Sequence, residues 1–197
     1  NLYRATLTMT ESRKQIREKI RKLRQNLTPT EQSIASQQIV NRVLKNFQFS
    51  KESKVAIYLS NDSELETNLL IEALWQLDVK VYLPVLHHFC TGYLSFYLYQ
   101  PETPMIKNKY GILEPELNCT TICPIKQFEY VFLPLVAFDS EANRLGMGGG
   151  FYDRTFEHKN PKTKLIGLAH DCQKVDKLPI ESWDVPLDKI ISPSYSI

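Results

Sequence analysis

An apolar strand, an amphipathic helix and a second apolar strand follow one another between residues 54 and 83. Lys54-Val55-Ala56-Ile57-Tyr58-Leu59 reads as a buried strand. Leu69, Leu70, Ala73, Leu74 and Leu77 recur at helical spacing, and Val79 to Leu83 is a second strand. Two strands joined through a helix pair in parallel by a right-handed crossover. Further buried strands are predicted at Tyr130 to Leu135, Lys164 to Ala169 and Lys189 to Ile191. Tyr93 to Tyr99 reads as an added strand or hairpin arm, and residues 101–124, with four prolines and Gly111, as loop. The predicted fold is α/β: three layers, a mostly parallel sheet with helices on both faces.

The chain of 197 residues fits one domain over 1–197, and no composition shift marks a boundary. No apolar run reaches the ~18 residues of a membrane helix. Asn1 to Thr10 has no apolar core, so it reads as a disordered lead-in or remnant with Met9 a candidate start, and not as a secretory signal. The cytoplasm is the expected compartment. Cys90, Cys119, Cys123 and Cys172 match no zinc spacing and read as reduced thiols.

Two helices are predicted ahead of the first strand. Ile16, Ile20, Leu23 and Leu27 form an apolar stripe within a helix from about Glu11 to Leu27. At ~100° per residue, Arg13, Arg17 and Arg24 share a narrow face beside that stripe. They are either snorkelling side chains at a core edge or a phosphate clamp. Residues 11–24 carry seven basic and two acidic side chains, a local +5, while residues 25–197 carry 16 basic and 20 acidic groups, net −4. Charge concentrated in this way fits a local anionic partner or a solvated helix. Thr28-Pro29-Thr30-Glu31 starts the second helix with a cap, a proline at the first position and a capping box.

Four of the seven glycines fall within Gly146–Gly150, in the segment Asn143-Arg144-Leu145-Gly146-Met147-Gly148-Gly149-Gly150-Phe151-Tyr152-Asp153-Arg154. It follows a buried strand and precedes a predicted short helix from Phe151 to Glu157, at the edge of the sheet where ligands bind. Glycines let backbone N–H groups converge on an anion, so the segment points to a phosphate site; a tight turn needs fewer of them. Neither the Walker A pattern nor the dinucleotide fingerprint fits, since Phe151 stands at the third glycine position of the latter. Asp153 is placed to hold magnesium on phosphates, with Asp139 an equal competitor. Asp188 reads as a turn residue or a second ligand. Glu64 and Glu66 follow the first strand as first-turn acids or contacts to a polar substrate edge. Tyr110, next to Gly111, offers an aromatic plate. Arg144, ahead of the glycines, is not expected in the core.

These segments together resemble the 5-formyltetrahydrofolate cyclo-ligase (5,10-methenyltetrahydrofolate synthetase) family. The carriers are the run Arg144 to Arg154, the helix pattern Arg13, Ile16 and Arg17, the element Glu64 to Thr67, the loop Lys109 to Pro115 and the strand Phe132-Leu133-Pro134, in order across residues 13 to 192. The resemblance implies an ATP- and magnesium-dependent cyclisation of 5-formyltetrahydrofolate to the 5,10-methenyl product. The formyl oxygen would be phosphorylated, N10 would attack, and phosphate would leave. It implies ATP contacts at Arg13, Lys14, Arg17, Arg144, Leu145, Gly146, Met147, Gly148, Gly149, Gly150, Phe151 and Tyr152. Substrate contacts would come from Asn61, Glu66, Tyr110, Met147, Gly148, Gly149, Gly150 and Phe151. Asp153 and Asp188 would be the metal ligands, and Arg144 and Glu66 the catalytic pair, with Glu66 orienting the reacting nitrogens or taking the N10 proton. The partner is a reduced folate, with no nucleic acid and no membrane. Two other readings come from the residues: a nucleic-acid module using the basic helix, and a nucleotide-binding regulator without catalysis.

Overall fold

The computed structural model describes residues 11–197, so the expectation for Asn1 to Thr10 lies outside the described residues. Helix α1 spans Arg13–Gln25, two residues shorter at each end than expected; its start is fixed by the capping box that Ser12 and Gln15 close in front of it. Helix α2, Pro29–Asn46, starts on the predicted box: Glu31 N–H donates to the Thr28 hydroxyl (3.2 Å), and Thr28 N–H donates to the Glu31 carboxylate (2.8 Å).

The chain then runs through β1 (Lys54–Ala56), α3 (Asn68–Gln76), β2 (Lys80–Leu86) and β3 (Leu94–Leu98). A hairpin of β4 (Met105–Lys107) and β5 (Leu113–Pro115) interrupts the segment expected to be loop. After β6 (Tyr130–Pro134) comes a second small hairpin, β7 (Ala137–Phe138) with β8 (Arg144–Leu145). Helix α4 (Phe151–Phe156), β9 (Lys164–Leu168) and β10 (Lys189–Ile191) complete the order.

Six strands form one sheet in the order β10-β9-β6-β1-β2-β3. Every pairing is parallel except β2 with β3, where Tyr93–Tyr99 proves to be the hairpin arm. Alternation along the strands sorts the core into two layers. Val55, Val81, Leu83, Phe132, Ile166 and Ile191 face α2 and α3. Ala56, Tyr82, Val131, Leu133 and Leu165 face the other way, towards Phe156 of α4 and Phe128 and Cys123 of the loops. The second face is thus covered by one short helix and irregular chain. Gly167 in β9 is a close-approach position: a Cβ there would lie 2.6 Å from Leu135 Cδ2 and 2.8 Å from Leu187 Cδ1.

Helix α1 joins neither layer. Its Ile16 and Ile20 pack on Val136, Ala137, Leu145 and Leu178 beyond the end of β6. That position sets α1 against the carboxyl ends of the parallel strands, the edge at which open α/β sheets take ligands. Among the described residues no helix is long and apolar enough to cross a membrane.

Candidate active site

A cavity of about 710 Å³ opens at that edge. Tyr58 and Leu59 line it from the end of β1, Pro84 and Leu86 from β2, and Pro134 and Leu135 from β6. Its volume lies within the ~300–1,000 Å³ of small-ligand sites.

One wall is the glycine loop. Gly148 (φ +102°) and Gly150 (φ +66°) hold left-handed backbone that side chains resist. The N–H groups of Met147, Gly148, Gly149 and Gly150 donate to no protein group among the described residues. The loop is held from α1, where Arg17 Nε donates to the Gly146 carbonyl (2.8 Å). Burial and the neighbouring charge of Arg13 push Arg17 below its ordinary pKa, so an anion there would relieve it. Gly146, Met147, Phe151 and Tyr152 also line the cavity. Leu145, expected among the ATP contacts, does not line it: the side chain is fully buried against Ile16 and Ile20.

Arg144 lies beneath the loop. It is 9% exposed, contrary to the expectation that it stands clear of the core. One guanidinium nitrogen donates to Asp153 Oδ1, while Nε is buried without a hydrogen-bond partner among the described residues. Arginine is the planar cationic fork suited to phosphate, and this one borders the cavity.

Of the helix-one cations, Arg13 and Arg17 reach the cavity. Lys14 does not; its ammonium is exposed, 3.9 Å from Glu18. Arg13 holds Asp184 through two bonds (2.7 and 3.0 Å) and the Pro179 carbonyl through a third (3.1 Å). Arg24 is wholly buried and pairs with Asp62 (2.9 Å), which Arg21 (2.7 Å) and Gln25 (2.9 Å) also hold. Arg13 and Arg17 are half-buried with their head groups bonded to protein, and Arg24 is not at the core edge but inside it. Two carboxylates from outside the segment, Asp62 and Asp184, answer part of the local +5 and engage Arg13, Arg21 and Arg24.

A further part of the lining is the turn after β1. Asp62 (φ +49°) and Ser63 (φ +57°) are both left-handed without being glycine, a strain the three bonds to Asp62 hold in place. The turn brings Asn61 and Glu64 to the cavity, where Asn61 N–H donates to Glu64 Oε2 (3.0 Å). Burial pushes the Glu64 carboxyl up to about 7. Tyr58 and Tyr152 also line the cavity, and burial raises both phenols. Glu66, the expected substrate carboxylate, is not brought here. It is exposed and bonded to Asn68 (2.7 Å), because Leu65 and Thr67 are buried and the Ser36 hydroxyl fastens the Glu66 carbonyl (3.0 Å). Tyr110 closes the rim from the β4–β5 hairpin, its ring 6.5 Å from that of Phe151.

The model of the 5-formyltetrahydrofolate cyclo-ligase family matches residues 9–193. Proteins named 5-formyltetrahydrofolate cyclo-ligase from Haemophilus influenzae and Escherichia coli K12 are 47% and 45% identical to this chain. The alignments cover 92% and 89% of the chain and 98% and 97% of those proteins. The chain belongs to the 5-formyltetrahydrofolate cyclo-ligase family. An Aquifex aeolicus 5,10-methenyltetrahydrofolate synthetase superposes with a TM-score of 0.80 at 26% identity, over 93% of this chain and 91% of that one. A Mycoplasma pneumoniae structure at 23% identity shares the fold, with a TM-score of 0.75 over 93% of this chain and 100% of that one.

The acids of this cyclo-ligase sort clearly by place. Asp139 is a loop brace: its carboxylate accepts from the N–H groups of Glu141 (3.0 Å), Asn143 (3.1 Å) and Leu178 (3.0 Å) and does not reach the cavity. Asp188 lies just before β10, whose start adjoins the start of parallel β9, so it stands at the opposite end of the sheet from the cavity. There it accepts from Leu165 N–H (2.8 Å) and Lys164 (3.4 Å). The acid the C-terminal segment does deliver is Asp184, four residues earlier. Among the described residues no group of three or more His, Cys, Asp or Glu side chains converges as a metal centre. A magnesium ion carried on phosphates needs only one or two carboxylates. Asp153 fits that need, since its Oδ1 accepts from Arg144 and from Val185 N–H (3.0 Å) while Oδ2 accepts from no group among the described residues.

Proposed function

We propose that this cyclo-ligase joins ATP and 5-formyltetrahydrofolate in the one cavity, the phosphates on the glycine loop and the reacting folate nitrogens against Glu64. The observation that carries the reading is Arg144, buried and charged, with an unpartnered Nε beneath a loop of unpaired N–H groups. Such a set is arranged for a phosphoryl group.

The N5-formyl carbon is an amide-like electrophile whose oxygen cannot leave as hydroxide. The formyl oxygen attacks the γ-phosphorus, the bond to the β–γ bridging oxygen breaks, and ADP departs. Arg144, Arg17 and the loop amides hold the equatorial oxygens, and that positioning with charge stabilisation supplies most of the rate. The N10 lone pair then attacks the formyl carbon, the carbon–oxygen bond breaks, and phosphate leaves to give the 5,10-methenyl bridge. Glu64 accepts the proton that N10 loses; a carboxylate near 7 suits that task at neutral pH. Magnesium on the phosphates, held by Asp153 with Asp184 beside it, would neutralise charge on the transferring group. No protein nucleophile is needed.

The test is the absorbance of the methenyl product formed from 5-formyltetrahydrofolate, followed with and without ATP and magnesium. Product should form only with both. Equal formation without ATP overturns the reading.

A further inference from the structure

We propose that Trp183 is the plate on which the nucleotide base stacks, with the Glu181 carboxylate accepting from an exocyclic amino group. The inference rests on the reading of the cavity as a nucleotide site and extends it to the base.

Trp183 lines the cavity yet is 66% exposed. A tryptophan is rarely left so open without a contact to make, because its face is the largest apolar surface a side chain offers. The segment that carries it is firmly placed. Arg13 grips Asp184 and the Pro179 carbonyl, Glu181 N–H donates to Asp184 Oδ2 (2.9 Å), and Val185 N–H donates to Asp153. Those same anchors, Arg13 and Asp153, border the phosphate wall. A group that reaches the glycine loop past Arg13 therefore has its other end beside Trp183.

The second aromatic plate, Tyr110, stands on the β4–β5 hairpin against Phe151 and serves the other ligand. Glu181 lines the same part of the cavity, and its carboxylate accepts no hydrogen bond among the described residues. A carboxylate at the base edge accepts from the amino group of adenine and repels the carbonyl oxygen that hypoxanthine carries at that position.

The experiment measures binding to the whole protein, with magnesium, by calorimetry. The probes are ADP, inosine diphosphate, inorganic tripolyphosphate and 5-formyltetrahydrofolate. The parent should bind ADP and tripolyphosphate, with ADP preferred over inosine diphosphate. Trp183→Leu should weaken ADP about tenfold or more, as loss of a stacking face does, and leave tripolyphosphate unchanged. Glu181→Gln should narrow the preference for ADP over inosine diphosphate. Trp75, the other of the two tryptophans, donates to the Tyr99 carbonyl and lies off the cavity, so quenching of fluorescence by ADP should vanish in Trp183→Leu. Both side chains are exposed, and the melting temperatures should match the parent. Parental ADP affinity in Trp183→Leu, or loss of folate affinity in its place, overturns the proposal while the nucleotide site stands. If the parent binds neither ADP nor tripolyphosphate, the site reading itself falls.

Discussion

The Arg144 guanidinium donates to the Asp153 carboxylate beneath the glycine loop, so the two residues with the strongest claim on a phosphoryl group and its metal already hold each other. The pair leaves Arg144 Nε and Asp153 Oδ2 without a partner among the described residues. Arg144→Ala should lower kcat by on the order of 10²-fold or more. Because the side chain is buried and its loss strips Asp153 of a partner, the melting temperature should fall as well. Arg144→Lys keeps the charge but not the fork, and should recover stability more than turnover. A stably folded Arg144→Ala enzyme with parental kcat would refute the assignment.

Glu64 sets a pH dependence in two observables. Deprotonated Glu64 is needed to take the N10 proton, so kcat should decline as pH falls below about 7. Glu64→Gln should lose about 10²-fold in kcat and that acid limb with it. Stability runs the other way. The folded protein holds this proton more tightly than the unfolded chain, so the contribution is complete below about 4.5 and is lost as pH rises to about 7. Thermal melts of Glu64→Gln should therefore exceed the parent at pH 8 and match it near pH 4. An unchanged acid limb in the variant removes Glu64 from the chemistry.

Side chains on the glycine loop should cost unequally. Gly148→Ala and Gly150→Ala force a Cβ into left-handed backbone, while Gly149 has ordinary φ. A Cβ at Gly149 would lie 2.8 Å from a ring carbon of Phe151, a side chain at the rim that can turn aside. The KM for ATP should rise more in the first two variants than in Gly149→Ala, and the reverse order would mean the loop does not bind through its backbone.

The two faces of α1 can be separated by one comparison. Arg17→Ala should raise the KM for ATP several-fold, whereas Lys14→Ala, exposed and off the cavity, should leave it within error. Equal effects would point to a diffuse electrostatic role for the helix.

Asp139→Asn tests the brace. Three backbone N–H groups and the Asn143 side chain hold this carboxylate below its ordinary range. Its stabilisation is present above the unfolded pKa of about 3.8 and is lost as pH falls through the lower folded value. The variant should melt lower at pH 7 with an unchanged magnesium titration of activity. A shifted magnesium requirement would restore Asp139 as a metal ligand.

What was legible in the sequence was what is local. The capping box at Thr28, the alternation of strands and the glycine loop with Arg144 all declare themselves within a few residues. Which of Asp184 and Asp188 borders the cavity does not, since it depends on which end of a parallel sheet a short segment crosses. Glu64 over Glu66 turns on two left-handed residues, Asp62 and Ser63, that intrinsic preferences disfavour and that arginines some 40 positions away hold in place. Helical spacing sets Arg24 beside the apolar stripe, and only the fold supplies its partner Asp62. The β4–β5 hairpin was masked by its prolines, which suit an isolated two-stranded ribbon better than a central sheet.

Helix α1 reaches partners far along the chain: Arg17 meets Gly146 across 129 positions and Arg13 meets Asp184 across 171. On a ribosome adding ~5–20 residues per second, that second partner emerges on the order of ten to thirty seconds after Arg13. The central strands can pair earlier, but closing so wide a loop has to wait for nearly the whole chain. Ligand recognition is therefore the last capacity the nascent protein acquires, and a chain arrested before residue 184 would carry most of the sheet and an unfinished cavity.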